Sequence, residues 1–557
     1  MPRLPSILRS VALYGLLLAG SALFALPFFW MIGSSFKVDR EMFGRKLTLF
    51  PHRPVPATAS PWLDPRALPD PESPLSRRAI PILADALRAL DLDLPPTVGH
   101  RDHAVSILAP ALFSRLRDTL PRAVWERPDP AFANRLRAET TPELAAETAR
   151  RLLRRLVFGP VRVRSIDLQE STLTATIPVP AFWTLEAPGG SEARWLPHPE
   201  SPDTHADLAY RFAGKSTNTL VLSATLHLPF PEDRLARIQL SLTPDDSWHT
   251  LDFLLEYGGK RYRALQPEVL GQFNPKVVTL QEFGPLDAPD SNRIKLWIPY
   301  RETDADPSFE SRPGKVRLVV TLRQSSPARA LFLKGARNYR TALRFIPFWR
   351  YAATSAFLVI LNILGNVFAC SLVAYAFARL HWPGRNFAFG LMLATMMIPP
   401  QVTMIPYFLI IRWLGWYNTL HPLWVISFFG NAFNIFLLRQ FMKGIPRDME
   451  DAARIDGCNF LQIYWYVILP LIKPTLACIA IFTFMAVWND FMGPLIFLAD
   501  QQLYPLSLGL YALNVQQGGD FGMMMAGSLL MTLPVIALFF FAQKYFIQGI
   551  TLTGSKG

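Results

Sequence analysis

Six apolar stretches constrain this chain more than anything else in it. They are Val11 to Ile32, Ala352 to Phe377, Phe387 to Ile411, Leu423 to Leu438, Leu476 to Leu498 and Met523 to Phe541. A helix needs about 20 apolar residues to cross the hydrocarbon core of a bilayer, and these stretches reach or approach that length. In lipid every backbone polar group must be satisfied within the protein, which leaves helices or a closed barrel. Runs this long and this apolar choose helices, so an α-helical polytopic membrane protein with six transmembrane helices is expected. The first stretch stands apart from the other five. Between them lies a Pro-rich, charged middle, which reconciles a positive mean hydropathy with 49 prolines.

Charge orients the spans. Arg3 and Arg9 precede the first stretch, favouring a cytoplasmic N-terminus. A cleaved signal peptide is the rival reading, but the run is too long and no small-x-small site follows it. Loops then assigned inside carry Arg379, Arg385, Arg439, Lys443, Arg447, Arg454 and Lys473, whereas the external loops 412–422 and 499–522 carry only Arg412. Both termini are expected in the cytoplasm and the middle region outside. Lys37, Arg344 and Arg350 would then be external, which long translocated domains permit. The net charge of +13 could suggest nucleic acid, but cytoplasmic Lys and Arg and a basic soluble domain explain it, so no nucleic-acid partner is expected. Cys370, Cys458 and Cys478 all lie in the apolar C-terminal region, leaving the external middle without a disulfide. Pro399-Pro400 and Pro406 should break the third span.

The stretch from Ile445 to Pro474 sits on the cytoplasmic side between the fourth and fifth spans. Pro446 suits a first helical turn, and Asp448, Glu450 and Asp451 follow where the helix dipole favours acids. Gly457 supplies a sharp bend, and a second helical run is expected to end at Leu469-Pro470. Asp451-Ala452-Ala453, Gly457, Val467 and Leu469-Pro470 together resemble the EAA loop of ABC-importer permeases. Asp451 stands for the usual Glu and Val467 for the usual Ile. PFFWMIGSSFK at the end of the first span, Asn338-Tyr339 before the second and Trp488-Asn489-Asp490 in the fifth are also similar to the carbohydrate, MalG-like branch. The resemblance covers Val11 to Pro54 and Asn338 to Gly557.

It implies the type I ABC-importer permease fold and an alternating-access subunit that is not an enzyme. In such a subunit Glu450, Asp451, Ala452, Ala453, Asp456, Gly457, Leu469 and Pro470 would seat on an ATPase subunit. Trp488, Asn489 and Asp490 would lie near the translocation path or serve helix packing. The loop Asp500 to Phe521, with Tyr504-Pro505-Leu506, would touch a solute-binding protein, and the tail GITLTGSKG would approach the ATPase dimer. Implied partners are two ATPase subunits, a second, MalF-like permease, an external solute-binding protein and a sugar-type solute. No cofactor is expected in this chain, ATP and Mg being bound by the partner ATPase. The place is the bacterial inner membrane.

About 280 residues, 55–336, interrupt that resemblance as an external insert, separating residues 1–54 from the core 337–557. From 74 to 158 apolar residues recur at helical spacing, most clearly from Thr141 to Phe158. There Thr141 can cap, Ala145, Ala149, Leu152, Leu153 and Leu156 share a face, and Gly159 terminates. From 161 to 325 the period shifts to two, as in 161–164, 222–228, 238–242, 294–298 and 316–322. Gly189-Gly190, Asp245-Asp246, Gly258-Gly259 and Pro313-Gly314 punctuate these runs, so the second half of this α+β insert is expected to be an antiparallel β-sandwich. The insert is expected to fold by itself as an accessory domain. Ala213-Gly214-Lys215-Ser216 imitates a P-loop, but Ala209 stands where a Walker glycine belongs. Trp183, Trp195, Trp248, Trp297, Tyr257 and Tyr262 could stack on sugar rings, although aromatic residues in a sandwich are more often core. Asp245, Asp246, Glu256 and Glu282 give no readable carboxylate pair. Two other readings stay open: an external sugar-binding or glycan-processing domain on a membrane anchor, and a transport-like sensor.

Overall fold

The computed structural model describes residues 6–43, 48–65, 74–92, 94–126, 128–165, 183–213, 218–284, 297–304, 312–516 and 520–551. The chain divides into two compact units. One holds the residues up to Ser35 and those from Tyr339 onward, and the other holds the described residues between Phe36 and Asn338.

In the membrane unit, among the described residues, four helices are long and apolar enough to span a bilayer: Ser10–Ser35, Phe348–Ala378, Val425–Lys443 and Phe521–Gln543. Two bent pairs, Arg385–Thr395 with Pro400–Trp413 (97°) and Phe460–Leu471 with Lys473–Trp488 (76°), raise the number to six if each is one span. The first bend falls at Pro399-Pro400, as the sequence suggested, because Pro400 has no N–H to continue a ladder and opens the next helix. Pro406, by contrast, lies inside Pro400–Trp413. The fifth span is shorter than expected, its helix ending at Trp488 rather than Leu498. Asp490 accepts from Gly493 N at 3.1 Å, and its carbonyl accepts from Ser507 Oγ at 2.6 Å, which turns the chain. The last helix continues to Thr551, and residues 552–557 of the tail motif lie outside the described residues.

Helix Phe348–Ala378 is the axis of this unit. Asn362, Asn366 and Cys370 recur every fourth residue, so they share one face. Asn362 donates to Leu423 O at 3.0 Å, Asn434 donates to Asn366 Oδ1 at 3.5 Å, and Asn431 N donates to Cys370 Sγ at 3.1 Å. Asn362 thereby satisfies a carbonyl where the fourth span runs as short 3₁₀ turns, His421–Leu423 and Val425–Phe429, and Cys370 meets the amide that follows them. Gly365 admits the close approach, since a Cβ there would lie 2.7 Å from the Phe428 ring.

The insert unit opens with helices Pro74–Ala89, Arg101–Thr119, Asp129–Glu139 and Pro142–Leu152, packed around Leu83, Leu108, Phe113, Phe132 and Leu136. Thr141 caps as expected, accepting from Leu144 N at 3.2 Å. The helix ends at Leu152, not Phe158. Leu153 and Arg154 leave it to pair with Leu63 and Trp62, so Ala145, Ala149 and Leu152 share the helical face without Leu153 and Leu156. Gly159 terminates nothing: it sits inside strand Leu156–Ser165, where a Cβ would meet Ser241 at 2.8 Å.

Among the described residues thirteen strands form one sheet. Across it run Ala59–Ser60, Ala206–Arg211, Leu156–Ser165, Leu235–Thr243, Lys276–Glu282, Ile298–Thr303, Lys260–Ala264, Thr250–Tyr257, Lys315–Arg323, Thr219–His227 and Trp183–Glu186. Glu192–Pro197 and Glu268–Val269 pair off this path. All pairs are antiparallel except Lys276–Glu282 with Ile298–Thr303. Alternation such as that of Lys315–Arg323 buries one face in a single core built on Leu222, Leu240, Phe253, Tyr300 and Leu318. Phe158, in the third strand across, meets Trp183, in the last, with ring centroids 5.8 Å apart. The sheet therefore curls until its ends share that core, instead of forming two separate sheets. Gly258-Gly259 make a two-residue hairpin turn with φ of 59° and 71°, the twist that suits flanking strands.

The aromatic residues singled out from sequence are mostly core. Trp183, Trp248, Tyr257 and Tyr262 are buried, and Trp195 and Trp297 are half-buried. Asp245, Asp246 and Glu256 are buried too, Glu256 between Arg261 (2.7 Å) and Arg317 (3.4 Å), whereas Glu282 is exposed. Gly214, Lys215 and Ser216 of the false P-loop and residues 294–296 lie outside the described residues.

The compact insert unit is wider than residues 55–336, and ion pairs tie the added residues to it. Arg40 reaches Asp64 and Asp246, each at 2.6 Å, and Lys334 pairs with Glu41 and donates to His52 O at 2.6 Å. Asp64 and Asp246 are almost wholly buried. The segments flanking the insert in sequence thus supply charges that its interior needs.

Candidate functional site: the acidic hairpin

The stretch after Lys443 folds as a bent hairpin. Helix Asp448–Ile455 carries Asp448, Glu450 and Asp451 in its first turn, where free backbone N–H groups and the dipole favour negative charge. Gly457 follows at φ 83°, and Asn459 and Gln462 form a reciprocal capping box (2.9 and 2.8 Å) that starts the second limb. No atom lies within 4 Å of a Cβ built on Gly457, so glycine is needed there for its backbone and not for space.

The second limb does not end at Leu469-Pro470. A π-turn, Ile463–Ile468, precedes Pro470, and helix resumes through Leu471 before the bend at Ile472. Pro470 cannot donate, and the wider turn re-registers the ladder just before it.

The two faces of the hairpin differ. Ala453 is buried in a cluster with Ala374, Leu438, Ile463 and Tyr464, and Glu450 lies 3.0 Å from Arg379, with only 5% of its side chain exposed. Outward stand Met449, Asp451, Ala452, Ile455, Asp456 and Gly457, followed by Phe460, Leu461, Trp465 and Tyr466 on the second limb. Ile455 is 87% exposed. Leu469 is half-buried and Pro470 exposed. Of the eight residues read from sequence as one group, Glu450 and Ala453 therefore point into the protein. Arg379, read from sequence only as a mark of the inner side, was not linked to the hairpin because its partner lies 71 positions away and no local pattern joins them.

Trp488, Asn489 and Asp490 lie together where the fifth span breaks. Trp488 is buried, stacks on Phe484 at 5.5 Å and donates to Met531 O at 3.0 Å. Asn489 is exposed and donates to Met485 O, and Asp490 shapes the turn described above. Tyr504-Pro505-Leu506 is tied to helix Phe348–Ala378, since Ser355 Oγ accepts from Leu506 N at 2.9 Å. Among the described residues no group of three or more His, Cys, Asp or Glu could hold a metal.

Several apolar helices, some broken within the apolar region, and an acidic hairpin beside them define a multi-pass membrane protein. The profile of the family described as "Binding-protein-dependent transport system inner membrane component" matches residues 365–551, and the chain belongs to that family. It is therefore a permease component and not an enzyme. One relative is the arabinooligosaccharides transport system permease protein AraQ of Halalkalibacterium halodurans, 35% identical over 38% of this chain and 75% of that protein. Another is the galactooligosaccharides transport system permease protein GanQ of Bacillus subtilis, 34% identical over 35% of this chain and 69% of that protein. Among solved structures, a bacterial ABC transporter involved in the import of the acidic polysaccharide alginate matches at 29% identity. The match covers 38% of this chain and 79% of that one, with a TM-score of 0.33.

Proposed function

We propose that this chain is the transmembrane permease subunit of an ATP-driven importer for a sugar or oligosaccharide. The observation that carries the reading is the hairpin's outward face. Ile455, Phe460, Trp465 and Tyr466 stand exposed beside Asp451 and Asp456, on a hairpin whose other face is fixed to the membrane unit. An exposed apolar patch on an ordered element calls for a protein partner, and an ATPase subunit is the partner that an importer requires. ATP and Mg belong to that subunit. Import would proceed by alternating access, ATP-driven closure of two ATPase subunits turning the pathway outward. A second, MalF-like permease would complete that pathway, and an external solute-binding protein would deliver the solute. The oligosaccharides named for AraQ and GanQ support the solute class.

The insert stands on the external side in this reading, with both termini in the cytoplasm of a bacterial inner membrane. Cysteines at Asp233 and Tyr511 should then react with an impermeant reagent in intact spheroplasts, and one at His381 only after lysis; the reverse pattern would invert the topology. Coupling is tested by Ile455→Asp, which places a charge on the open face and touches nothing inside. The variant should insert normally yet lose co-purification of the ATPase subunit. Undiminished association would move the contact elsewhere.

A further inference from the structure

Three side chains at successive turns of helix Phe348–Ala378 hold the hairpin from within. Ser371 Oγ and Tyr464 Oη are 2.7 Å apart, Tyr375 Oη donates to Phe460 O at 3.0 Å, and Arg379 meets Glu450 at 3.0 Å. Positions 371, 375 and 379 are spaced by four, so one helix face reads the second limb, the turn and the first limb in order.

The Arg379 contact differs in kind from the other two. Beside that ion pair its guanidinium donates to Ile445 O (2.8 Å) and Met442 O, carbonyls at and just beyond the close of helix Ala432–Lys443. Three elements therefore converge on one planar cation whose side chain is 4% exposed. Arg is suited to this because its donors diverge in a fixed fork, which a lysine cannot reproduce. A buried pair contributes little to net stability, but removing one partner leaves an uncompensated charge and opens the site.

We propose that Arg379 is the positioning residue of the hairpin. Through Glu450 it locks helix Asp448–Ile455 to the inner end of helix Phe348–Ala378, so that a push on the hairpin moves that helix as one body. Glu450 is on this view an internal latch and not a contact of the ATPase. The inference deepens the proposed function and rests on it only for what pushes.

The test uses the full chain in lipid, with Cys370, Cys458 and Cys478 replaced and spin labels at Leu372 and at Asp448, which is exposed on the first limb but outside the open face. The native sequence should give one narrow distance distribution. Arg379→Gln should widen it about twofold by freeing the first limb. Arg379→Lys, which keeps a charge beside Glu450 but not the fork, should bring it part of the way back. Should Arg379→Gln fail to reach the membrane, Glu450→Gln takes its place with the same expectation, since it spares the carbonyl bonds. A distribution as narrow in the Gln variants as in the native chain, or no recovery with Lys, would overturn the proposal.

A second arm adds the ATPase subunit and Mg-ATP. The distance should hold steady in the native chain and shift in Arg379→Gln, which keeps its open face and should still bind. A steady distance in Arg379→Gln, or a shift in the native chain, counts against the single-body proposal. Failure of the native chain to bind the subunit would sink the coupling reading while leaving the first arm to decide on Arg379.

Discussion

Replacing Lys334 by Met should loosen a segment nearly 300 positions earlier in the chain. Lys334 pairs with Glu41, and both side chains are at least 96% buried. The ammonium also donates to His52 O at 2.6 Å and lies 5.9 Å from the Trp248 ring. Removing one member of such a pair costs about 3 to 5 kcal/mol, because the remaining charge stays in a poorly solvated place. The affected element is the short helix Asp39–Met42, closed by Glu41 N to Val38 O (2.8 Å) and Phe43 N to Asp39 O (3.1 Å). At about 1.4 kcal/mol per factor of ten, even the lower figure predicts roughly hundredfold faster amide exchange at Glu41 and Phe43. Hydrogen exchange read by mass spectrometry would measure it, with strand Thr250–Tyr257 as the unaffected internal reference. Lys334→Met combined with Glu41→Met should regain most of the protection, since an apolar pair of similar volume removes the stranded charge. Unchanged exchange at Glu41 and Phe43 in the single variant would refute the reasoning.

A soluble fragment of residues 36–338 should melt at a higher temperature than one of 57–333, followed by circular dichroism, because only the longer one keeps Arg40, Glu41 and Lys334. Gly457→Ala should destabilise the hairpin by about 1 to 2 kcal/mol through its positive φ, and Gly457→Asn by less; limited proteolysis at the hairpin would rank them. His249, with Nε2 on Ala57 O at 2.7 Å and Nδ1 accepting from Ser325 N at 3.2 Å, has its pKa lowered by burial. The unfolded chain therefore takes up the proton first, and the insert should lose stability as pH falls from about 7.5 to about 5.5, read as a falling urea midpoint.

Local chemistry was legible where local chemistry decides. The acids before Ala452, the backbone demand at Gly457, the Thr141 cap and the paired glycines at 258–259 all sit where their neighbours in sequence imply. What escaped was set by partners far along the chain. Helical periodicity in 141–158 cannot reveal that Trp62 and Leu63 take Arg154 and Leu153 into a strand, with Asp64 drawing Arg154 at 3.5 Å. Alternation finds strands but not how far their sheet curls, since its closure depends on Phe158 meeting Trp183 and Trp195. At the hairpin the sequence groups Glu450 with the motif's Asp451 as neighbouring acids of one helical turn, and the pairing with Arg379 sets Glu450 inward.

Ser35 and Tyr339 are joined by a hydrogen bond of 2.7 Å, and Asn338 donates to Lys37 O at 2.8 Å. The two strands of chain leading away from the first span and back to the second are thus stapled at their base. The chain is closed into a stem at these two pairs. Loop-closure entropy rises only by about 0.6 kcal/mol for each doubling of length, so a stem of this kind tolerates a short turn or an entire domain almost equally. A polypeptide whose own ends meet could be grafted there without the spans registering the change, and its size would be free to drift. The buried charges at Arg40, Glu41 and Lys334 bind such a domain to the chain that leads into it, so cutting it back out would strand charges as well as remove mass.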